Sequence, residues 1–258
     1  LPGFQQRAPM RTYAIGDIHG QLDLLRAAHA RIKTDQAMYG PGTIVHIGDL
    51  VDRGPDSPGV IDYLIAGHAR GEDWVTLLGN HDRMFAGYLR DLHWRDPRLR
   101  VDLSYLHPKI GGAVTLSNYG VKNPSDRPLP PVHAEAVAAV PQAHRDFIES
   151  LPTSFARGEA FFAHAGIRPG VPFDQQTEDD LCWIRDGFLD DRSDHGALIV
   201  HGHTHLAQVT HYGNRLNLDS GAAYGGLLSA VVIEGRAAFL LTAQGREPLP
   251  ITPDAPIR

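Results

Sequence analysis

The sequence predicts an α/β protein built on a parallel sheet. Three short apolar runs, Arg11 to Gly16, Thr43 to Gly48 and Trp74 to Gly79, are rich in aliphatic and aromatic residues and each ends at a glycine, the pattern of buried strands. Between them, Leu22, Leu25, Ala28 and Ile32 recur at helical spacing, as do Val60, Ile61, Leu64 and Ile65. Strand, helix and strand alternating at a period of roughly 30 residues is the signature of βαβ units.

The order lapses at residues 93–132. The stretches "HWRDPRLR", "HPKIGGAVTLSNYG" and "NPSDRPLPPVH" read as an irregular excursion able to cap a site. A helix is expected to resume at Pro141, with the proline in its first turn, and to run to Leu151. Ala160 to Ala163 and Ala197 to Val200 are further apolar runs, and "RLNLDSGAAYGG", "LLSAVVIEG" and "AAFLLTA" read as strands of a meander or second sheet. No solenoid repeat, low-complexity tract or linker divides the chain, so residues 1–258 are expected to form one domain.

With 42% hydrophobic and 21% charged residues, the chain has the balance of a soluble globular protein and argues against disorder. A net charge of −6 without a basic run excludes the electrostatic footprint of a nucleic-acid or anionic-membrane binder. The single cysteine, Cys182, excludes an intramolecular disulfide and fits a reducing, cytoplasmic compartment. No apolar run approaches the roughly 18 residues of a membrane span, and residues 1–9 lack a secretory hydrophobic segment.

The fifteen histidines make a metal site worth seeking, and the strand ends supply one. The turns are Gly16-Asp17-Ile18-His19-Gly20, Gly48-Asp49-Leu50-Val51-Asp52-Arg53-Gly54, Gly79-Asn80-His81-Asp82, His164-Ala165-Gly166 and His201-Gly202-His203-Thr204-His205. Any one of them is explained by a helix cap or a solvated turn. Together they converge, because the carboxyl ends of parallel strands line one edge of a sheet. Imidazole and carboxylate donors without a thiolate suit Mn, Fe or Zn, and a carboxylate can bridge two ions. A pair of ions about 3.5 to 4 Å apart clamps a phosphate and generates hydroxide.

In this order, "GDIHG", "GDLVDRG", "GNHD", "HAG" and "HGHT" resemble the calcineurin-like metallophosphoesterases, and the form of "GDLVDRG" is similar to that of the phosphoprotein (serine/threonine) phosphatase branch. The likeness runs from residue 11 to about 235. "GGAVTLSNYG" and "LCWIRDGFL" are similar to bacterial and phage members, a group that includes symmetrical dinucleoside tetraphosphate hydrolases. The resemblance implies two mixed sheets packed as a sandwich and flanked by helices. It also implies two divalent metal ions, Mn²⁺ foremost, with Fe, Zn, Ni or Co as alternatives. Asp17 and His19 would hold the first ion, Asp49 would bridge, and Asn80, His164 and His203 would hold the second. Arg53 and Arg185 would grip phosphate oxygens, and His81 would be the general acid, oriented and kept protonated by Asp52.

One turn departs from the pattern. Proline often follows "GHT" in the bacterial phosphatases, whereas His205 gives the form in which the last histidine binds the first metal, so a seventh ligand and an exposed turn residue both stay open. His201 is expected to pack or to support a ligand, and His29, His68, His133, His144, His195 and His211 to be satisfied or surface histidines. Tyr224, in the "LDSGAAYGG" tail, is a candidate for substrate contact.

The reaction implied is in-line attack on a phosphomonoester by hydroxide generated between the ions, with no phosphoenzyme. Phosphoserine or phosphothreonine in a protein is the leading substrate, other small phosphoesters are possible partners, and a symmetrical dinucleoside tetraphosphate is the alternative. A catalytically dead phosphate-binding domain would show an eroded ligand set, and none of these residues is missing. A nuclease is opposed by the acidic balance. Oligomeric state is left open.

Overall fold

The apolar runs of the first third become the centre of a sheet in the computed structural model, which describes residues 10–257. Residues 1–9, expected to lack a secretory hydrophobic segment, lie outside the described residues. β1 (Arg11–Ile15), β2 (Thr43–His46) and β3 (Trp74–Thr76) pair in parallel, with α1 (Leu22–Tyr39) and α2 (Ser57–Ala69) as crossovers. Asp56 starts α2 by accepting a bond from the Gly59 amide at 2.8 Å, and Pro58 occupies its first turn. After α3 (Asn80–Arg90) come α4 (Gly112–Asn118), α5 (Leu129–Ala139) and α6 (Gln142–Glu149). The second half holds β4 (Ser154–Arg157), β5 (Ala160–Ala163), α7 (Glu178–Trp183), β6 (Leu198–His201), β7 (Thr210–His211), β8 (Arg215–Asn217), β9 (Ala230–Glu234), β10 (Ala237–Thr242) and β11 (Gly245–Pro248).

The strands form two mixed sheets, ordered β11-β10-β9-β1-β2-β3 and β4-β5-β6-β8-β7. Side-chain alternation explains why they stack. Ala14, Val45, Val231 and Ile233 face Phe162, Leu198, Val200 and Leu216 between the sheets. Their neighbours Tyr13, Ile15, Ile44 and Val232 turn the other way, onto Leu25, Ile32, Val60 and Leu64 of α1 and α2. On the far face of the second sheet, Phe161, Ala163 and Ile199 pack with Ile184, Phe188 and Leu189. Both faces of each central strand are therefore buried, which is why these segments read as unbroken apolar runs.

Three expectations are corrected. The excursion is not wholly irregular: it holds α4 and the start of α5, whose prolines Pro130 and Pro131 lie in the first turn, where a missing N–H costs nothing. Pro141 caps α6 rather than entering it. The three late segments divide between the sheets, β8 joining the second while β9 and β10 run antiparallel beside β1. Among the described residues, no helix is long and apolar enough to cross a membrane.

Candidate metal centre

All five predicted turns follow β1, β2, β3, β5 and β6, and their side chains meet at one edge of the sandwich. Two small groups of donor atoms, each within 4.8 Å, form there: His19, Asp49 and His81, and Asp17, Asp49 and His164. Asp49 belongs to both, the place a bridging carboxylate would take.

The backbone is forced into this arrangement. His19, Asp49, Asp52, Arg53 and His203 have φ of 46°, 52°, 72°, 69° and 64°, and only Asn123 among the other non-glycine described residues shares this region. Such conformations cost of order 1–3 kcal/mol each and gather where function holds them. Two glycines permit the close approach of the turns. A Cβ at Gly79 would lie 2.2 Å from Asp49 Oδ1, and one at Gly202 would lie 1.9 Å from Asp17 Oδ1.

Hydrogen bonds fix the imidazole tautomers. His19 Nδ1–H donates to the Val51 carbonyl (2.8 Å) and His164 Nδ1–H to the Ile47 carbonyl (2.9 Å), so each directs an Nε2 lone pair into the site. His164 Nε2 then stands 2.9 Å from Asn80 Oδ1 and 3.4 Å from Asp49 Oδ1. His203 Nδ1 lies 2.9 Å from the same Asn80 oxygen and 3.2 Å from His164 Nε2. His164 Nε2 and the Asn80 oxygen are both acceptors, and at this separation they repel unless a cation lies between them. Burial lowers the His164 imidazole, and burial with the Arg185 guanidinium holds His203 well below the ordinary range, so both rings are neutral, the ligand form.

Asp17 makes the same point. Its Oδ2 accepts from the His203 amide at 3.0 Å, whereas its buried Oδ1 has no partner, nor has the buried His203 Nε2. Burial, then the Asp219 and Asp49 carboxylates, push Asp17 well above the usual carboxylate range. Divalent cations among these oxygens would reverse that penalty, and the donor set fits them.

Beside these groups stands the pair His81–Asp52, with His81 Nδ1–H donating to Asp52 Oδ2 at 2.7 Å. Asp52 is wholly buried, and its other oxygen accepts from Tyr105 (2.9 Å) and Thr115 (2.8 Å), both from the excursion. Arg53 donates Nη1 to His19 Nε2 (2.9 Å) and Nη2 to His81 Nε2 (3.0 Å), a fork directed where phosphate oxygens would sit. Burial and the Arg53 guanidinium lower this imidazole, while Asp49 and Asp52 act in the opposite sense and favour its protonated form. Arg185 lies on the cavity wall, donating Nε to Thr204 Oγ1 (3.2 Å).

His205 stands apart from both donor groups. Its ring is exposed, and its centroid is 4.8 Å from that of Tyr224. His201 packs as expected, with Nε2 accepting from buried Arg215 at 3.2 Å. His133 and His144 lie on helices and are satisfied, bonded to the Tyr88 carbonyl and to Asp62.

Several residues have roles that the sequence reading did not assign. Asp82 takes the Leu50, Val51 and Gly79 amides at 2.8, 3.3 and 3.0 Å, tying the Asp49 loop to the start of α3. Tyr105 and Thr115 reach Asp52 across 53 and 63 residues, too far for a local pattern. Arg98, Arg100 and Arg168 join Arg53 and Arg185 around a cavity of about 870 Å³ over the donor groups.

The calcineurin-like phosphoesterase family matches residues 10–228, which include every one of these turns. The chain belongs to the calcineurin-like phosphoesterases. Its family is one of dinuclear-metal hydrolases, in keeping with the donor groups described. This calcineurin-like phosphoesterase is 40% identical over 86 residues to a symmetrical bis(5'-nucleosyl)-tetraphosphatase of Klebsiella pneumoniae, covering 32% of the chain and 28% of that relative. It is 36% identical over 110 residues to an uncharacterized protein of Schizosaccharomyces pombe, covering 39% and 29%. The aligned segments thus span about three-tenths of these curated relatives' lengths. A solved structure described as a candidate diadenosine tetraphosphatase superposes with a TM-score of 0.59 at 24% identity, over 96% of each chain. A cold-active protein-tyrosine phosphatase of a psychrophilic Shewanella superposes at 0.56 with 17% identity, over 94% of this chain and 81% of that one. These two likenesses show the shared fold, two sheets flanked by helices.

Proposed function

We propose that this calcineurin-like phosphoesterase hydrolyses a phosphoanhydride bond within an elongated polyanion, a dinucleoside tetraphosphate cut symmetrically into two nucleoside diphosphates. The observation that carries this reading is the ring of five arginines around the cavity. A single phosphoryl group is gripped by the fork of Arg53 with Arg185; Arg98, Arg100 and Arg168 extend positive charge along the wall, as a chain of phosphates requires. Asp102 and Asp180 hold Arg100 and Arg168 in two-point ion pairs, which fix where those guanidiniums stand. The tetraphosphatase name of the Klebsiella relative supports the same substrate class, which displaces phosphoserine or phosphothreonine protein as the leading choice.

In the same proposal, Asp17, His19 and Asp49 hold one divalent ion, and Asp49, Asn80, His164 and His203 the other, with Mn²⁺ the first choice. Bound there, the ions would neutralise phosphate charge and activate the attacking water. The chain itself orients the phosphates through Arg53 and Arg185, and it holds His81 facing the leaving oxygen by anchoring Nδ1–H on Asp52.

The test is a panel of diadenosine tetraphosphate, a phosphoserine peptide and p-nitrophenyl phosphate, each supplied with Mn²⁺. The dinucleotide should give the highest kcat/KM, with ADP as the sole nucleotide product. A higher kcat/KM for the phosphopeptide would restore the phosphoprotein reading.

A further inference from the structure

A second cavity, of about 910 Å³, adjoins the first and shares two of its lining residues, His205 and Tyr224. The two rings touch, so the pair forms a partition between the cavities. Tyr224 is 61% exposed and ends a short 3-10 turn, Ala222–Tyr224, set between the left-handed glycines Gly221 and Gly225. Its other neighbour is Arg53, whose guanidinium carbon lies 5.3 Å from the ring centroid. A single aromatic ring thus touches the phosphate-gripping arginine and borders the second cavity.

The two cavities differ in charge. Five arginines line the first together with Asp17, Asp49, Asp186 and Asp219, whereas among the described residues lining the second the one formally charged group is Glu247. With no arginine or lysine among the described residues of its lining, the second cavity offers no cationic partner for the polyanion itself. Its lining includes the apolar Leu206, Pro248, Leu249 and Pro250, and Gln208 adds an amide that both donates and accepts. An uncharged heterocycle with a sugar suits an apolar lining with a few hydrogen-bonding groups.

We infer that the second cavity binds a nucleoside of the substrate, with the His205–Tyr224 pair as the edge over which the phosphate chain passes and against which the base stacks. This rests on the proposed function and deepens it. In a symmetrical cut each nucleoside stands two phosphates from the broken bond, and the shared partition puts a nucleoside pocket next to the phosphate site. His205 then serves the substrate rather than an ion.

Two substitutions test this: Ala207→Trp, which fills the second cavity, and Tyr224→Ala, which removes an exposed ring and leaves the core untouched. Adenosine, which carries no phosphate for the first cavity, is titrated into the Mn²⁺-loaded wild type and both variants. Kinetics compare diadenosine tetraphosphate with inorganic tripolyphosphate. Base stacking of ordinary strength predicts that adenosine binding weakens about tenfold or more, and that the ratio of kcat/KM for the dinucleotide to that for tripolyphosphate falls by the same order. Adenosine that fails to bind the wild type, or binds all three proteins alike, overturns the inference even where the dinucleotide is cleaved. If the wild type leaves the dinucleotide intact yet binds adenosine in a manner both variants weaken, the nucleoside pocket stands and the proposed function falls.

Discussion

At the scale of single residues, the chemistry turns on which nitrogen of His81 faces the substrate. Nδ1–H is engaged by donating to Asp52, so Nε2 is the nitrogen left to serve the leaving oxygen. A group that protonates the leaving oxygen matters most when that oxygen is basic. His81→Asn should therefore slow an alkyl phosphate by about 10²- to 10⁴-fold and slow p-nitrophenyl phosphate or a dinucleoside tetraphosphate less, because phenolate and phosphate depart unaided. Steady-state kinetics with metal content held constant checks this; equal losses on all three would make the ring structural. His205 gives a second outcome at this scale. Because its ring lies tilted against Tyr224 and belongs to neither donor group, the Mn²⁺ titration curves of His205→Ala and wild type should superimpose, whereas a weaker apparent affinity would make it a seventh ligand.

At the scale of elements, buried histidines couple helix to sheet. His29 on α1 faces His46 on β2 at 2.9 Å between their Nε2 atoms, and His46 Nδ1 reaches Thr76 on β3 at 3.1 Å. Burial, then Lys33, lower His29 to about 4, against an ordinary value near 6.5. The folded state therefore resists a proton that the unfolded chain accepts. The stability this neutral ring preserves is fully present above pH 6.5 and is lost as the pH falls toward 4, up to roughly 3 kcal/mol. Urea unfolding at pH 7.5 and pH 5 should show that loss, and it should shrink in His29→Leu. The excursion supplies another test: Tyr105→Phe removes one of the two hydroxyls on the inner oxygen of Asp52 and should lower kcat for an alkyl phosphate while leaving metal content unchanged. These contacts also show where the sequence was legible. The strand-end turns announce themselves because glycine, Asp and His fall together after apolar runs. Tyr105 and Thr115 are ordinary residues in a proline-rich stretch, and only the closure of that stretch over β2 brings them to Asp52. The α5 helix was hidden by the prolines of its first turn, which signal a loop unless the helix behind them is recognised.

At the scale of the whole molecule, two sheets press together so that the ends of five strands share one edge, and the site is only as firm as that interface. Phe162, fully buried between the sheets, is a direct probe: Phe162→Ala should cost about 3–5 kcal/mol, read as a lower urea midpoint at unchanged m. The donor residues follow strands of both sheets, β1, β2 and β3 of one and β5 and β6 of the other, so ions bound there would also clamp the sandwich together. Asp49 is the donor common to both groups. The measurement that tests this account most directly is the Mn²⁺ stoichiometry of the purified protein and of Asp49→Asn, by calorimetric titration of chelator-stripped samples with elemental analysis. Two ions per chain in the wild type, and weakened binding of both in the variant, is the predicted result. One ion per chain, or an Asp49→Asn protein that binds two as tightly as the wild type, would contradict it.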